Sequence, residues 1–231
     1  MLVWCGALAT VAGCGGSASL DAVGDLLGSP GLSGEAKVVA GLKQALEVGT
    51  ERAVSRTSQQ DGFLENSSIR LGLPDSLDTM VAGLRAMGLG GRIDELEVAM
   101  NRAAEQASAE AAEVFWQGIR QMSFADARSI LAGADTAATE YFERTTREPL
   151  RERFEPIVAD RMRSVGLVRL YSDLAARYAA LPFTEKPTLN LERYVTDGAL
   201  DGLFQVLGEE ERRIREDPAA RTTALLKEVF E

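Results

Sequence analysis

The chain has 231 residues, enough for one large domain or two small ones, and 45% of them are hydrophobic, which supports a packed core and excludes a disordered chain. Its 35 acidic residues outnumber its 25 basic ones, and the resulting charge of -10 should repel nucleic acid and anionic lipid headgroups. It has no histidine, which removes Ser-His-Asp and Cys-His catalysis, Glu-x-x-His di-iron sites and His-Glu-x-x-His zinc helices together.

Met1 to Ala12 carry no charge and can partition into a membrane, and Val11, Ala12 and Gly13 lead into Cys14. This run resembles a bacterial lipoprotein signal cut before Cys14. The resemblance implies a diacylglyceryl group on the Cys14 thiol and an acyl chain on its new amino terminus, more than durable anchoring requires. Gly15 after Cys14, in place of Asp, resembles the pattern of outer-membrane delivery. The Lys or Arg that usually precedes such a stretch is missing from Met1, Leu2, Val3 and Trp4, so the competing reading is a buried helix or strand with two core cysteines. A transmembrane helix is disfavoured because the apolar run to Gly16 is shorter than the ~20 residues that span a bilayer. With Cys5 removed and Cys14 lipidated, no disulfide forms within one mature chain.

Residues 14–32, rich in Gly and Ser with a turn at Pro30-Gly31, read as a tether between the signal (residues 1–13) and a helical domain (residues 33–231). Ser33 is placed to cap a helix whose stripe is Val38, Val39, Leu42, Ala45, Leu46, Gly49 and Ala53, with Lys43, Glu47, Glu51 and Arg52 mostly outward. Gln60 to Leu73 reads as a packed loop, with Ile69, Leu71 and Leu73 alternating before Pro74. A second helix should follow Pro74 and end near Gly88, with Gly90 and Gly91 supplying the positive-φ positions. Ile93, Leu96, Met100, Ala103, Ala104 and Ala107 make the next stripe, continued after Ser108 by Ala111, Val114, Phe115 and Ile119; one long helix or a broken pair both fit.

Ser123 should cap a short helix through Leu131 that Gly133 ends, and Asp135 should cap another containing Tyr141 and Phe142. A kink or break is expected around Pro149. Beyond it, Leu150, Phe154, Ile157 and Val158 define a face that stops near Gly166, and Leu167, Leu170, Tyr171, Leu174, Tyr178 and Leu181 another that stops at Pro182. Leu200, Leu203, Phe204 and Leu207 mark the following helix, and Asp217-Pro218 should open a last one bearing Thr222, Leu225, Leu226, Val229 and Phe230. The period stays near 3.6 almost throughout, so the predicted architecture is all-α: a single multi-helix bundle of about eight to ten helices with short loops.

Six separated stretches resemble a known bacterial family. They are GLKQALEVGTERAV (Gly41 to Val54), DELEVAMNRAAEQA (Asp94 to Ala107), MSFADARSILAGADTAATEYF (Met122 to Phe142), ALPF (Ala180 to Phe183), VTDGALDGLF (Val195 to Phe204) and IREDPAARTTALLKEVF (Ile214 to Phe230). The family is the one filed as domain of unknown function 4197, and the resemblance implies a helical envelope protein behind a secretion or lipoprotein signal. The family has no established activity, so it assigns no catalytic residue.

The remaining chemistry is sparse. No Ser-x-x-Lys dyad exists, since Gly34, Ala40, Phe183 and Ala224 stand three residues before the four lysines, and no Gly-x-Ser-x-Gly elbow exists either. Gly88, Gly90 and Gly91 lack the spacing, Lys and preceding strand of a phosphate-binding loop. Asp94, Glu95, Glu97 and Glu105, or Glu209, Glu210 and Glu211, carry the carboxylates that calcium or acid-base chemistry needs, but without Ca-loop spacing they read as solvated helix faces. Asn101, Arg102 and Glu105, and Arg128 between Asp126 and Asp135, read as hydrogen-bonded networks that fix helix register, with an anion-binding pocket as the functional alternative. Phe115, Trp116, Phe124, Tyr141 and Phe142 read as core.

The sequence thus predicts no catalytic, cofactor-binding or metal-binding residue, and one lipidation residue, Cys14. The expected function is non-enzymatic: a lipid-anchored periplasmic protein that binds another envelope protein or lipid, with no nucleic-acid partner. A carrier of a lipid or other apolar ligand and a carboxylate-dependent cell-wall hydrolase are the alternatives.

Overall fold

The computed structural model describes residues 34–182, 184 and 189–217. The expected lipidation residue Cys14, the expected tether, the cap expected at Ser33 and the helix expected after Asp217 lie outside the described residues. The chain divides into two compact units, residues 1–38 and 39–231; of the first, residues 34–38 are described, and they open the first helix. Among the described residues there are eight α-helices and no strand, in line with the predicted all-α bundle. They are α1 (Gly34–Ser58), α2 (Asp78–Ala86), α3 (Gly90–Ser108), α4 (Ala111–Gln121), α5 (Phe124–Leu131), α6 (Ala137–Ser164), α7 (Leu167–Ala179) and α8 (Leu191–Glu216), with a 3-10 turn, Asp75–Leu77, before α2.

Helices α6, α8 and α3 pack on one another to form the centre; α4 and α5 lie on α6, while α2 and α7 pair with each other and with α3. The apolar stripes read from the sequence are buried there, among them Leu96, Met100 and Ala103 of α3, Leu150, Phe154 and Val158 of α6, and Leu200, Leu203 and Leu207 of α8. Phe115 meets Phe142 at 5.5 Å and Phe204 at 5.9 Å between ring centroids, both edge to face, which joins α4, α6 and α8 through the favoured aromatic geometry.

Residues 59–74 are the predicted packed loop, and α8 receives it. A methyl group added at Gly198 would sit 2.6 Å from Leu71 Cδ2, and one at Gly202 2.5 Å from Phe63 Cε1. The two glycines, four residues apart and so on one face, leave a smooth strip into which Phe63, Ile69 and Leu71 press.

Some local expectations hold and others are corrected. The positive φ that ends α2 belongs to Gly88 (φ 78), while Gly90 and Gly91 open α3. Gly88 N–H donates to Arg85 O and Leu89 N–H to Leu84 O, the paired bonds of a Schellman end, which need the left-handed residue directly after the cap. The stripe from Ile93 to Ile119 is a broken pair, α3 and α4, interrupted at Ala109 and Glu110. Ser123 caps α5 through a full capping box with Asp126. Asp135, by contrast, does not cap α6, whose N-cap is Thr136 and whose first amides are held from another helix. Helix α6 is unbroken through Pro149 and Pro156, because both rings face solvent while Leu150, Phe154, Val158 and Met162 keep the opposite side buried. Phe124 is 43% exposed rather than core, with the Arg128 guanidinium 5.3 Å over its ring.

Candidate functional site

Four buried polar residues, Asn101, Glu105, Glu210 and Glu211, were read from the sequence as solvated or register-fixing groups, and each has a definite task. The Asn101 carboxamide accepts from Leu71 N–H and donates to Leu71 C=O, both at 2.8 Å, pairing the loop backbone as a strand would. Glu105 Oε1 accepts from the amides of Phe63 and Leu64, and its Oε2 accepts from Arg102 at 2.7 Å. Arg102 also reaches Asp61 at 2.6 Å, and these two hydrogen bonds favour its charged form, raising its pKa. Asn101, Arg102 and Glu105 therefore form the expected network, and its purpose is to clamp residues 61–71 onto α3.

Glu210 and Glu211 overturn the expectation of a solvated acidic face: both are buried. Helical spacing carries the stripe Leu203, Phe204, Leu207 onward by three and four residues to positions 210, 211 and 214, so both carboxylates lie on the apolar face of α8. That signal was available in the sequence. Glu211 Oε1 accepts from Ala138 N–H at 3.0 Å, Oε2 accepts from Thr139 N–H and Oγ1 at 2.8 Å, and Arg215 neutralises it while donating to Ile130 O. The acid supplies α6 with the cap that Thr136 lacks, and its charge suits a helix N-terminus.

Glu210, one residue earlier, faces a different helix. Its Oε1 accepts from Arg56 Nη1 at 2.7 Å and from Arg213 Nη1 at 3.1 Å, while Arg56 Nη2 reaches Glu209 at 3.2 Å. Its Oε2 is buried without a hydrogen-bond partner. One carboxylate oxygen thus gathers two guanidiniums on the α1–α8 face. They line an open groove of about 360 Å³ with Glu51, Arg52, Ser55 and Glu210 itself. Burial opposes the charge on Arg56, but its bonds to Glu210 and Glu209 outweigh that cost and leave its pKa raised.

A second groove of about 240 Å³ lies between α5 and α6, where Tyr141 and Arg144 meet Asp126, Ser129 and Glu140. It joins an arginine to an aromatic ring, with Arg144 5.7 Å over Tyr141, and neither Arg102 nor Arg128 lines it. Its two acids are engaged locally, Asp126 in the α5 cap and Glu140 with Thr136. The hydrogen bonds from Ser123 hold the Asp126 carboxyl below its ordinary range, and burial pushes the Tyr141 phenol up. The apolar cleft lined by Leu42, Leu46, Phe142, Leu207 and Ile214 has a cavity volume of about 20 Å³, room for one water and far below the ~300 Å³ of a small-ligand site. Among the described residues no cluster of three His, Cys, Asp or Glu side chains is arranged to hold a metal ion, and no helix is long and apolar enough to cross a membrane.

An all-helical bundle clamped by buried acids, with an arginine-lined groove on one face, is the class of molecule these features define. A family model described as a protein of unknown function (DUF4197) matches residues 33–231, and the chain belongs to that family. No curated protein and no solved structure matches the chain.

Proposed function

We propose that the protein is a non-enzymatic binding module of the bacterial envelope, held through a lipidated Cys14 in the periplasm at the outer membrane, with the α1–α8 groove as its contact surface. The observation that supports binding is the fully buried Glu210 beneath this groove. Burying a carboxylate is costly unless it is fully paired, and here it positions two arginines at a surface while one oxygen stays unpaired. The location rests on the run ending at Cys14 and the Gly/Ser tether after it.

Two measurements test the two halves. Mass spectrometry of the native N-terminal peptide should find Cys14 as a lipidated first residue; an unmodified Cys14 behind an intact Met1 removes the anchor. A photo-crosslinker at the exposed Ser55 should capture a defined envelope component in intact cells, and the adduct should disappear with Arg213→Gln. A crosslinker at the exposed Arg169 on α7 should not capture it. Equal capture from both positions, or none from Ser55, removes the groove from the proposal.

A further inference from the structure

We infer that the corner between α6 and α7 seats on an anionic lipid surface, with Val165 and Val168 entering the headgroup layer and Arg161, Arg163 and Arg169 meeting lipid phosphates. Single exposed hydrophobic side chains are ordinary on a protein surface. Here Val38, Met87, Val98 and Phe124 are scattered along the chain, but Val165 and Val168, each 44% exposed, stand three residues apart at one turn. That turn is pinned. Val165 N–H donates to Arg161 O at 3.1 Å and Gly166 N–H to Arg163 O at 3.0 Å, Gly166 takes a φ of 68, and Leu167 is fully buried beneath. Both valines are therefore held outward before anything binds, which lowers the ordering cost of burying them.

The charge around them is of one sign. Residues 161–169 contain three arginines and no acid. Arg163 is paired only with Asp160, at 3.6 Å and with both side chains exposed, an interaction that contributes little in water. Arg169 is exposed, and Arg161 keeps its Nε buried without a hydrogen-bond partner; among the described residues neither has a carboxylate within ion-pair distance. Anionic headgroups complement this arrangement, because guanidiniums fork onto phosphate oxygens while their alkyl stems lie along apolar surface. The chain's charge of -10 opposes the approach only at long range. Screening at physiological ionic strength acts over about 8 Å, whereas the 28 residues of α6 alone span about 42 Å, so acids toward its far end are not felt at the corner. Two valines at a helix-to-helix corner are also far too little surface for a protein interface of about 800 Å² per partner, but a headgroup layer admits a narrow wedge. This inference goes beyond the groove reading and depends on neither the groove nor the anchor.

The test holds the full chain, carrying an N-terminal hexahistidine tag, on vesicles that contain a nickel-chelating lipid. The chain has no histidine of its own, so the tag tethers it whether or not Cys14 is lipidated. A photo-crosslinker replaces Val168 or, as a control, the equally exposed Phe124 on α5, which lies beside the first turns of α6 rather than its end. On phosphatidylcholine vesicles containing phosphatidylglycerol, lipid adducts at position 168 should exceed those at position 124 by at least about fivefold. They should fall at least about fivefold on phosphatidylcholine alone, and by a similar factor when Arg163→Gln and Arg169→Gln are combined. Both arginines are exposed, so these substitutions leave the fold in place. Equal yields at the two positions, equal yields on the two kinds of vesicle, or protein adducts in place of lipid adducts when position 168 is irradiated in intact cells overturns the inference. Capture from Ser55 is read separately, so the contact groove stands or falls on its own result.

Discussion

At the scale of single residues, Asn101, Glu105 and Glu211 each use a buried polar side chain to hold backbone of another segment. Asn101 pairs with both backbone groups of Leu71, and removing it leaves a buried N–H and C=O without partners. Asn101→Leu should therefore destabilise the protein by about 2–5 kcal/mol, read from urea unfolding, even though leucine is the more hydrophobic residue. Glu47 tests the opposite case. Its pKa is raised, first by burial and then by Glu51 one turn away. An acid whose folded pKa lies above its unfolded value contributes stability only while protonated, and that contribution is lost as pH rises through the folded pKa. Glu47→Gln should raise the melting temperature at pH 7, with the gain shrinking as pH falls through the raised carboxyl pKa. A constant gain from pH 3 to 7 would refute the assignment.

At the scale of elements, helix ends in this molecule are completed either locally or from afar. Ser123 was legible as the N-cap of α5 because the amide it accepts from lies within four residues. The cap of α6 was not legible, since its acceptor is Glu211, more than seventy residues away in sequence. Glu211→Ala should cost about 3–5 kcal/mol, because it strips a buried pair with Arg215 as well as the cap, and amide exchange should rise first at Ala138 and Thr139. Glu211→Gln should recover part of the loss by keeping one carbonyl acceptor. Pro149 shows the limit of local rules. Proline lacks the N–H that a helix interior uses, but a face buried along the whole of α6 outweighs that single defect. Pro149→Ala should therefore stabilise the protein by about 1–3 kcal/mol in thermal unfolding, with the helix unchanged by circular dichroism.

At the scale of the whole molecule, the loop of residues 59–74 is held between α3 and α8, which also pack directly on each other. Asn101 and Glu105 hold its backbone from one side, and Gly198 and Gly202 accept its side chains on the other. Gly202→Ala would drive a methyl group into the Phe63 ring, flanked by Ile69, and should cost about 1–3 kcal/mol with local loosening around Phe63, measurable by unfolding and by amide exchange in the loop. This long-range clamp lets an irregular segment serve as core. Elsewhere in the bundle, Arg56 of α1 and Glu210 of α8, 154 apart in sequence, meet in one ion pair.

The sequence by itself determined the all-α class and nearly every helix among the described residues, because apolar periodicity and short-range caps are written within one or two turns. Read from the sequence alone, Glu210 and Glu211 fell on a solvated face, although the Leu203–Leu207 stripe runs on to both positions. Only the tertiary structure decided what those acids do. Whether a buried carboxylate caps a helix, as Glu211 does for α6, or gathers arginines, as Glu210 does with Arg56 and Arg213, depends on which element lies opposite. That apposition is set by packing across the bundle, and spacing along the chain does not encode it.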